Sequence, residues 1–173
     1  FTEITTSNIR NIDSDFFPGI LKTARFGYDG KGQAHIGEKN QLLRNIKDLT
    51  SSQYILEKKV PLDTELSIII VRDKDGNIAS YPLAENRHEN GILAESVMPA
   101  NVSGDVHKLA FFYGEKIVKQ LDYVGVLTVE FFLSDGNLLF NEMAPRPHNS
   151  GHQTINASVT SQFEQQVRIC AGL

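Results

Sequence analysis

A disulfide framework is absent. The single cysteine, Cys170, sits near the end of an apolar-periodic segment and is expected as a small buried hydrophobe in a reducing compartment. No apolar run approaches the roughly 20 residues that a membrane-spanning helix needs, and no signal-peptide pattern opens the chain. The expectation is therefore a soluble, cytoplasmic protein with no membrane partner. Charge of one sign is missing too. Lys and Arg number 17 against 21 Asp and Glu, for a formal net charge of -4, and the signs are well mixed. That excludes a broad basic footprint for nucleic acid, so an anionic ligand has to be met by local basic groups. Low-complexity tracts and internal repeats are absent. So is a starting Met: the chain begins Phe1-Thr2-Glu3-Ile4 and closes on Ala171-Gly172-Leu173, directly behind a glycine helix stop. We expect a portion of a longer protein.

What is present is enough for a core. The 173 residues are 40% hydrophobic, which suits one ordinary domain or two small lobes. Pro18 to Ala24 reads as a short strand, and Glu38 to Leu49 as a helix with Leu42, Leu43, Ile46 and Leu49 at helical spacing. Gln53 to Val60 and Thr64 to Asp73 read as strands, the second carrying the β-branched run Ile68-Ile69-Ile70-Val71. Asp75-Gly76 predicts a hairpin turn into Asn77 to Leu83. Ser103 or Asp105 caps a helix with Val106, Leu109, Ala110, Tyr113, Ile117 and Leu121 on one face. Gly125 to Leu133 and Asn137 to Glu142 form a second hairpin around Asp135-Gly136, and Thr154 is expected to cap a last helix striped by Ile155, Val159, Phe163 and Val167. The class is α+β, with mostly antiparallel sheets.

Glu130 interrupts the otherwise apolar strand Val126-Leu127-Thr128-Val129-Glu130-Phe131-Phe132-Leu133. An ionised carboxylate buried there costs several kcal/mol unless a cation or donors compensate it. A two-residue turn at Asp135-Gly136 sets Glu130 opposite Asn141, whereas a three-residue loop with a bulge sets it opposite Glu142. Both alternatives gather two carboxylates and an amide oxygen, a donor set suited to Mg²⁺, which binds through one or two carboxylates plus substrate phosphates.

Gly27-Tyr28-Asp29-Gly30-Lys31-Gly32-Gln33 holds three glycines in six positions. It is neither a P-loop nor a dinucleotide fingerprint, but its amides can approach phosphate oxygens and Lys31 adds a positive charge. Lys22, on the strand leading into it, is within reach of the same phosphates. The third feature is Asn141-Glu142-Met143-Ala144-Pro145-Arg146-Pro147-His148-Asn149-Ser150-Gly151-His152. Two prolines stiffen a loop displaying Arg146, whose planar fork suits carboxylate or phosphate. Zinc at His148 and His152 lacks further ligands, and Ser150 has no nucleophile elbow around it.

The segments Leu21 to Gln33, Glu85-Asn86-Arg87-His88 with Gly91-Ile92-Leu93, Asn141 to His152, and Ser161-Gln162-Phe163-Glu164 together resemble the N5-carboxyaminoimidazole ribonucleotide synthetase family. That family is the ATPase subunit of phosphoribosylaminoimidazole carboxylase, within the ATP-grasp superfamily. The resemblance implies an ATP-grasp fold of two lobes with the nucleotide between them. About 1–60 would be the smaller lobe with the glycine loop and 61–173 the larger lobe with the metal site, while the family's N-terminal α/β and C-terminal domains are missing. It implies that Lys22 and Gly27 to Gln33 contact ATP phosphates, that Glu57-Lys58-Lys59-Val60 holds the adenine, that Glu65 accepts from the ribose hydroxyls, and that His88 lies beside the nucleotide. Glu130 and Glu142 would hold Mg²⁺ with Asn141. Tyr28, Asp29, Lys31, Arg146, His148 and Asn149 would face the substrates, with Lys31 and Arg146 catalytic.

The implied reaction is ATP-dependent carboxylation of 5-aminoimidazole ribonucleotide with bicarbonate through carboxyphosphate, in purine biosynthesis. The full-length protein would be a homodimer, and the shortened chain would turn over slowly or not at all. Another ATP-grasp ligase and a non-catalytic Mg-ATP-binding module are the alternatives.

Overall fold

The computed structural model of the chain describes residues 1–5, 7–24, 32–48, 53–89 and 91–173. It divides into two units, Phe1–Val60 with Asn90–Ile92, and Pro61–Glu89 with Leu93–Leu173.

The first unit contains an antiparallel sheet of β1 (Thr2–Ile4), β2 (Gly19–Thr23), β3 (Gln33–Ile36) and β4 (Tyr54–Lys58), in the order β1-β4-β2-β3. Alternation along β2 and β4 puts Leu21 and Leu56 at the same register position. Both are fully buried, with Ile4, Ile36 and Tyr54. Helix α1 (Lys39–Asp48) adds Leu42 to this cluster, one turn of the apolar spacing read from the sequence.

The second unit is built on β5 (Thr64–Arg72), β6 (Ile78–Ser80), β7 (Ala84–Glu89), β8 (Ile92–Val97), β9 (Gly125–Ser134) and β10 (Asn137–Ala144). Their order is β10-β9-β5-β7-β8, with β6 pairing beside β5. Successive side chains alternate between the faces. One face of β5 and β9 presents Leu66, Ile68, Ile70, Leu127, Val129 and Phe131 to helix α2 (Gly104–Gln120). Ser103 caps α2 by accepting from the Val106 amide, and Asp105, the other expected cap, lies in the first turn. On the opposite face, Ile69, Val71 and Val126 meet Ile169 of helix α4 (Gln162–Ala171). No helix among the described residues is long and apolar enough to cross a membrane.

Three expectations are corrected here. The strand after Asp75-Gly76 is shorter than 77–83. The Asp73 carboxylate accepts from the Asp75 and Asn77 amides and shapes a five-residue loop, and from Ser67 inward β5 pairs with β7 instead of β6. The last helix is two: α3 (Thr154–Ala157) and α4. The Thr154 hydroxyl is spent on Gly151 O and on the Gln162 amide, while Ser161 caps α4. The chain therefore turns, Gln162 and Ile169 are buried, and the expected stripe of Ile155, Val159, Phe163 and Val167 stays exposed. Cys170 is likewise exposed, next to Gln166. The expected glycine stop is present, Gly172 at φ 74° closing α4.

Candidate functional site

The β9–β10 hairpin turns on two residues, Asp135 and Gly136, at φ 49° and 75°. Both left-handed values match a turn that follows the right-handed twist of its strands, which is why Asp-Gly stands there. From that turn alone Glu130 would face Asn141. Instead Phe140 pairs with Phe131 and Glu142 with Glu130, because Asn141 is an extra residue in a bulge. The turn of the first sequence alternative is thus combined with the pairing of the second.

Glu130 is 9% exposed. Ser67 of β5 is its register partner on the other side, and Asn86 of β7 and Ser96 of β8 continue the line through hydrogen bonds. One polar row, Glu142–Glu130–Ser67–Asn86–Ser96, crosses five of the sheet's six strands in the order β10-β9-β5-β7-β8. Two residues further along the same face of β5 and β9, the positions are Ile69 and Thr128.

The loop after β10 covers this row. Its anchor is Gln162, which is fully buried. The Gln162 side chain donates to His148 O at 2.6 Å and accepts from the His148 amide at 2.9 Å. Gly151 packs so close that a Cβ there would fall 2.3 Å from Ile69 Cδ1 and 2.6 Å from Gln162 Oε1, so any larger residue would displace these side chains. Thus held, His148 Nε2 lies 3.3 Å from Glu130 Oε1, and Nδ1 lies 3.0 Å from Ser150 Oγ.

The electrostatics follow from burial. Burial pushes the Glu130 carboxyl up to about 7, the like charges of Glu142 and Glu65 push the same way, and Arg146 opposes them. Burial holds His148 down at about 4, helped by Arg146, His88 and His152. Ser150, His148 and Glu130 stand in the sequence of a catalytic triad, but Ser150 is 1% exposed and therefore no nucleophile for a substrate.

The second unit thus brings together Glu65, His88, Glu130, Glu142, Arg146 and His148, with Asn141 in the bulge and Asn149 on the covering loop. His88 Nδ1 is 2.5 Å from Glu65 Oε2, though without hydrogen-bond geometry, so the contact is one of charge or proximity. In the first unit, Lys22 Nζ pairs with Glu57 Oε2 at 2.6 Å. Lys58 and Lys59 follow on the exposed end of β4, and Val60 is half-buried. Gly32 closes the β2–β3 connection at φ 80°, its carbonyl accepting from Thr23 N, and Gln33 pairs with Lys22. Gly27, Tyr28, Asp29, Gly30 and Lys31 lie outside the described residues. Among the described residues no three His, Cys, Asp or Glu side chains form a metal-holding group. Sequence reasoning passed over Ser67, Ser96 and Gln162. A polar residue inside an apolar strand, the signal that exposed Glu130, was present at Ser67 as well.

Comparison with known proteins decides the family. The ATP-grasp domain model matches residues 3–163. The chain belongs to the ATP-grasp family. This ATP-grasp chain is 48% identical over 157 residues to N5-carboxyaminoimidazole ribonucleotide synthase of Bacillus subtilis (strain 168), covering 90% of the chain and 41% of that relative. The crystal structure of the synthetase from Thermus thermophilus superposes at TM-score 0.84 with 43% identity, over 96% of this chain and 44% of that one. The Aspergillus clavatus synthase, solved with ADP and 5-aminoimidazole ribonucleotide, gives 0.79 and 31% over 88% and 40%. The chain spans about two fifths of the length of these relatives, and its antiparallel sheets with four helices form the ATP-grasp fold.

Proposed function

We propose that this chain is the Mg-ATP-binding part of a ligase that carboxylates 5-aminoimidazole ribonucleotide with bicarbonate. The observation that carries the reading is the facing pair Glu130 and Glu142 with the Arg146–His148 loop folded above it. Among the described residues neither carboxylate has a Lys or Arg in ion-pair contact, and burial and like charge leave Glu130 at about 7. Such an arrangement fits a hard divalent cation. Glu130 and Glu142 would hold Mg²⁺ with the help of Asn141, and the ion when bound would offset the charge on the nucleotide phosphates.

In this reading Lys22 and the segment 27–33 bind the phosphates, Glu57 to Val60 the adenine and Glu65 the ribose, and His88 lies beside the nucleotide. Bicarbonate oxygen attacks the γ-phosphorus, the bond to the β-phosphate oxygen breaks, and ADP leaves with carboxyphosphate formed. Carboxyphosphate yields CO₂ and phosphate, and the exocyclic amine takes the CO₂ and releases a proton. Lys31 and Arg146 offset the charge that develops on the transferring groups, while Tyr28, Asp29, His148 and Asn149 position the ribonucleotide. The structures of relatives with ADP and 5-aminoimidazole ribonucleotide support the choice of substrates. A cytoplasmic location and a homodimeric whole protein go with the reading.

The test, made on the full-length protein, is ADP release with bicarbonate and 5-aminoimidazole ribonucleotide supplied singly and together. Release that needs both, with N5-carboxyaminoimidazole ribonucleotide as product, is expected. Release indifferent to the ribonucleotide overturns the assignment.

A further inference from the structure

The polar row on the sheet is more than a satisfied core. Ser67, Asn86 and Ser150 are 1%, 5% and 1% exposed. A strand pair that needed only stability would carry apolar residues there, since replacing both partners of a buried hydrogen bond by well-packed apolar groups is close to neutral. What the polar residues add is direction. Ser96 Oγ donates to Asn86 Oδ1 at 2.6 Å, and Asn86 Nδ2 donates to Ser67 Oγ at 2.9 Å. With its oxygen so engaged, Ser67 sends its one proton to Ser150 Oγ, 2.8 Å away. Ser150 in turn faces His148 Nδ1 at 3.0 Å. The backbone fixes the sense of this last step. The Ser150 amide also points at Nδ1, at 3.3 Å, and an amide N–H only donates. Nδ1 is therefore an acceptor and the ring hydrogen is on Nε2, which lies 3.3 Å from Glu130 Oε1 in a contact of proximity without hydrogen-bond geometry.

We propose that Ser67, Asn86 and Ser150 are positioning residues for Glu130, forming a one-way chain of donors that holds His148 as the Nε2–H tautomer beside that carboxylate. His148 then presents an N–H, not a lone pair, to the side of Glu130 that it faces. The orientation of Glu130 is set by the sheet beneath it as well as by its own strand. Groups behind a metal ligand act in this way generally, and their loss lowers metal affinity or activity about 10- to 100-fold. The proposal rests on the assignment of Glu130 as a cation ligand made above.

The first test needs no ligand and no turnover. A two-bond ¹H–¹⁵N spectrum of the imidazoles, with His148 assigned by a His148→Gln variant, is expected to show Nδ1 without a proton and Nε2 with one. A proton on Nδ1 overturns the relay. In Ser67→Ala the same spectrum is expected to show the two tautomers mixed, kcat to fall about 10-fold, and KM for ATP to stay within about twofold. An unchanged spectrum with unchanged kcat also overturns it. Should ADP release prove independent of the ribonucleotide, the reaction assignment fails while the tautomer result stands on its own. Should Ser67→Ala not fold, the wild-type spectrum still decides.

Discussion

Two halves of one sheet face differ by a step of two residues. On β5 and β9, the register pairs Ile69–Thr128 and Val71–Val126 lie next to Ile169 of α4, and the pair Ser67–Glu130 lies under the His148 loop. Backbone pairing is the same in both halves. The difference is the cover: an apolar helix residue in one, a loop anchored by the Gln162 side chain in the other. A strand therefore supplies only spacing and face, while the element laid over it determines whether a position becomes core or chemistry. The rigid apolar half also gives the polar half its precision, because Gly151 of the covering loop packs on Ile69.

The largest effect is expected from breaking the apolar half. Ile69→Ala should cost about 2–5 kcal/mol in chemical denaturation, the range for a large-to-small change in a packed core.

The polar half should reveal itself through pH. Glu130 is raised from 4.5 to about 7, so between those values the unfolded chain loses its proton first. Stability from this group is full below about pH 4.5 and falls by about 3 kcal/mol as pH rises to about 7. His148 is lowered from 6.5 to about 4, so its contribution is full above about pH 6.5 and is lost as pH falls toward about 4, again by about 3 kcal/mol. The two slopes oppose each other in the metal-free protein. Denaturation midpoints across pH should show Glu130→Gln gaining on the wild type as pH rises, and His148→Gln gaining as pH falls.

Glu142→Gln keeps shape and removes charge. Its ADP release should drop on the order of 100-fold, as when one group facing a transferring phosphoryl is lost. Its metal-free stability should rise slightly, since one of the charges repelling Glu130 is gone. The smallest effect belongs outside both halves. The Arg168–Glu164 pair on the exposed side of α4 should contribute only about 0.3–0.5 kcal/mol, so Arg168→Ala should barely move the denaturation midpoint.

Much of this was legible in the chain. An acidic residue among Val129, Phe131 and Leu133 announced Glu130, Asp135-Gly136 announced the hairpin, and the paired faces of β5 and β9 follow from alternation. The pairing of Glu130 with Glu142 was not, because a bulge at Asn141 depends on how the strand meets its neighbour, and no local residue type demands it. Gln162 stood inside a helix expected to run unbroken from Thr154, and its bond to His148, fourteen positions away, leaves no local signal. The stripe from Ile155 to Val167 misled because spacing of four is also what a broken helix leaves behind when Thr154 and Ser161 turn the chain. The segment 25–31, which carries most of the glycine loop, lies outside the described residues.

The central claim is that Glu130 and Glu142 together form a divalent-cation site. It is tested most directly by following the Glu130 side-chain carboxyl in a ¹³C-labelled sample titrated with and without Mg²⁺ and a non-hydrolysable ATP analogue. The account predicts a midpoint near 7 in the free protein that falls below the ordinary glutamate value when both are added, with no such fall in Glu142→Gln. A Glu130 midpoint unmoved by Mg²⁺ and the analogue would contradict it.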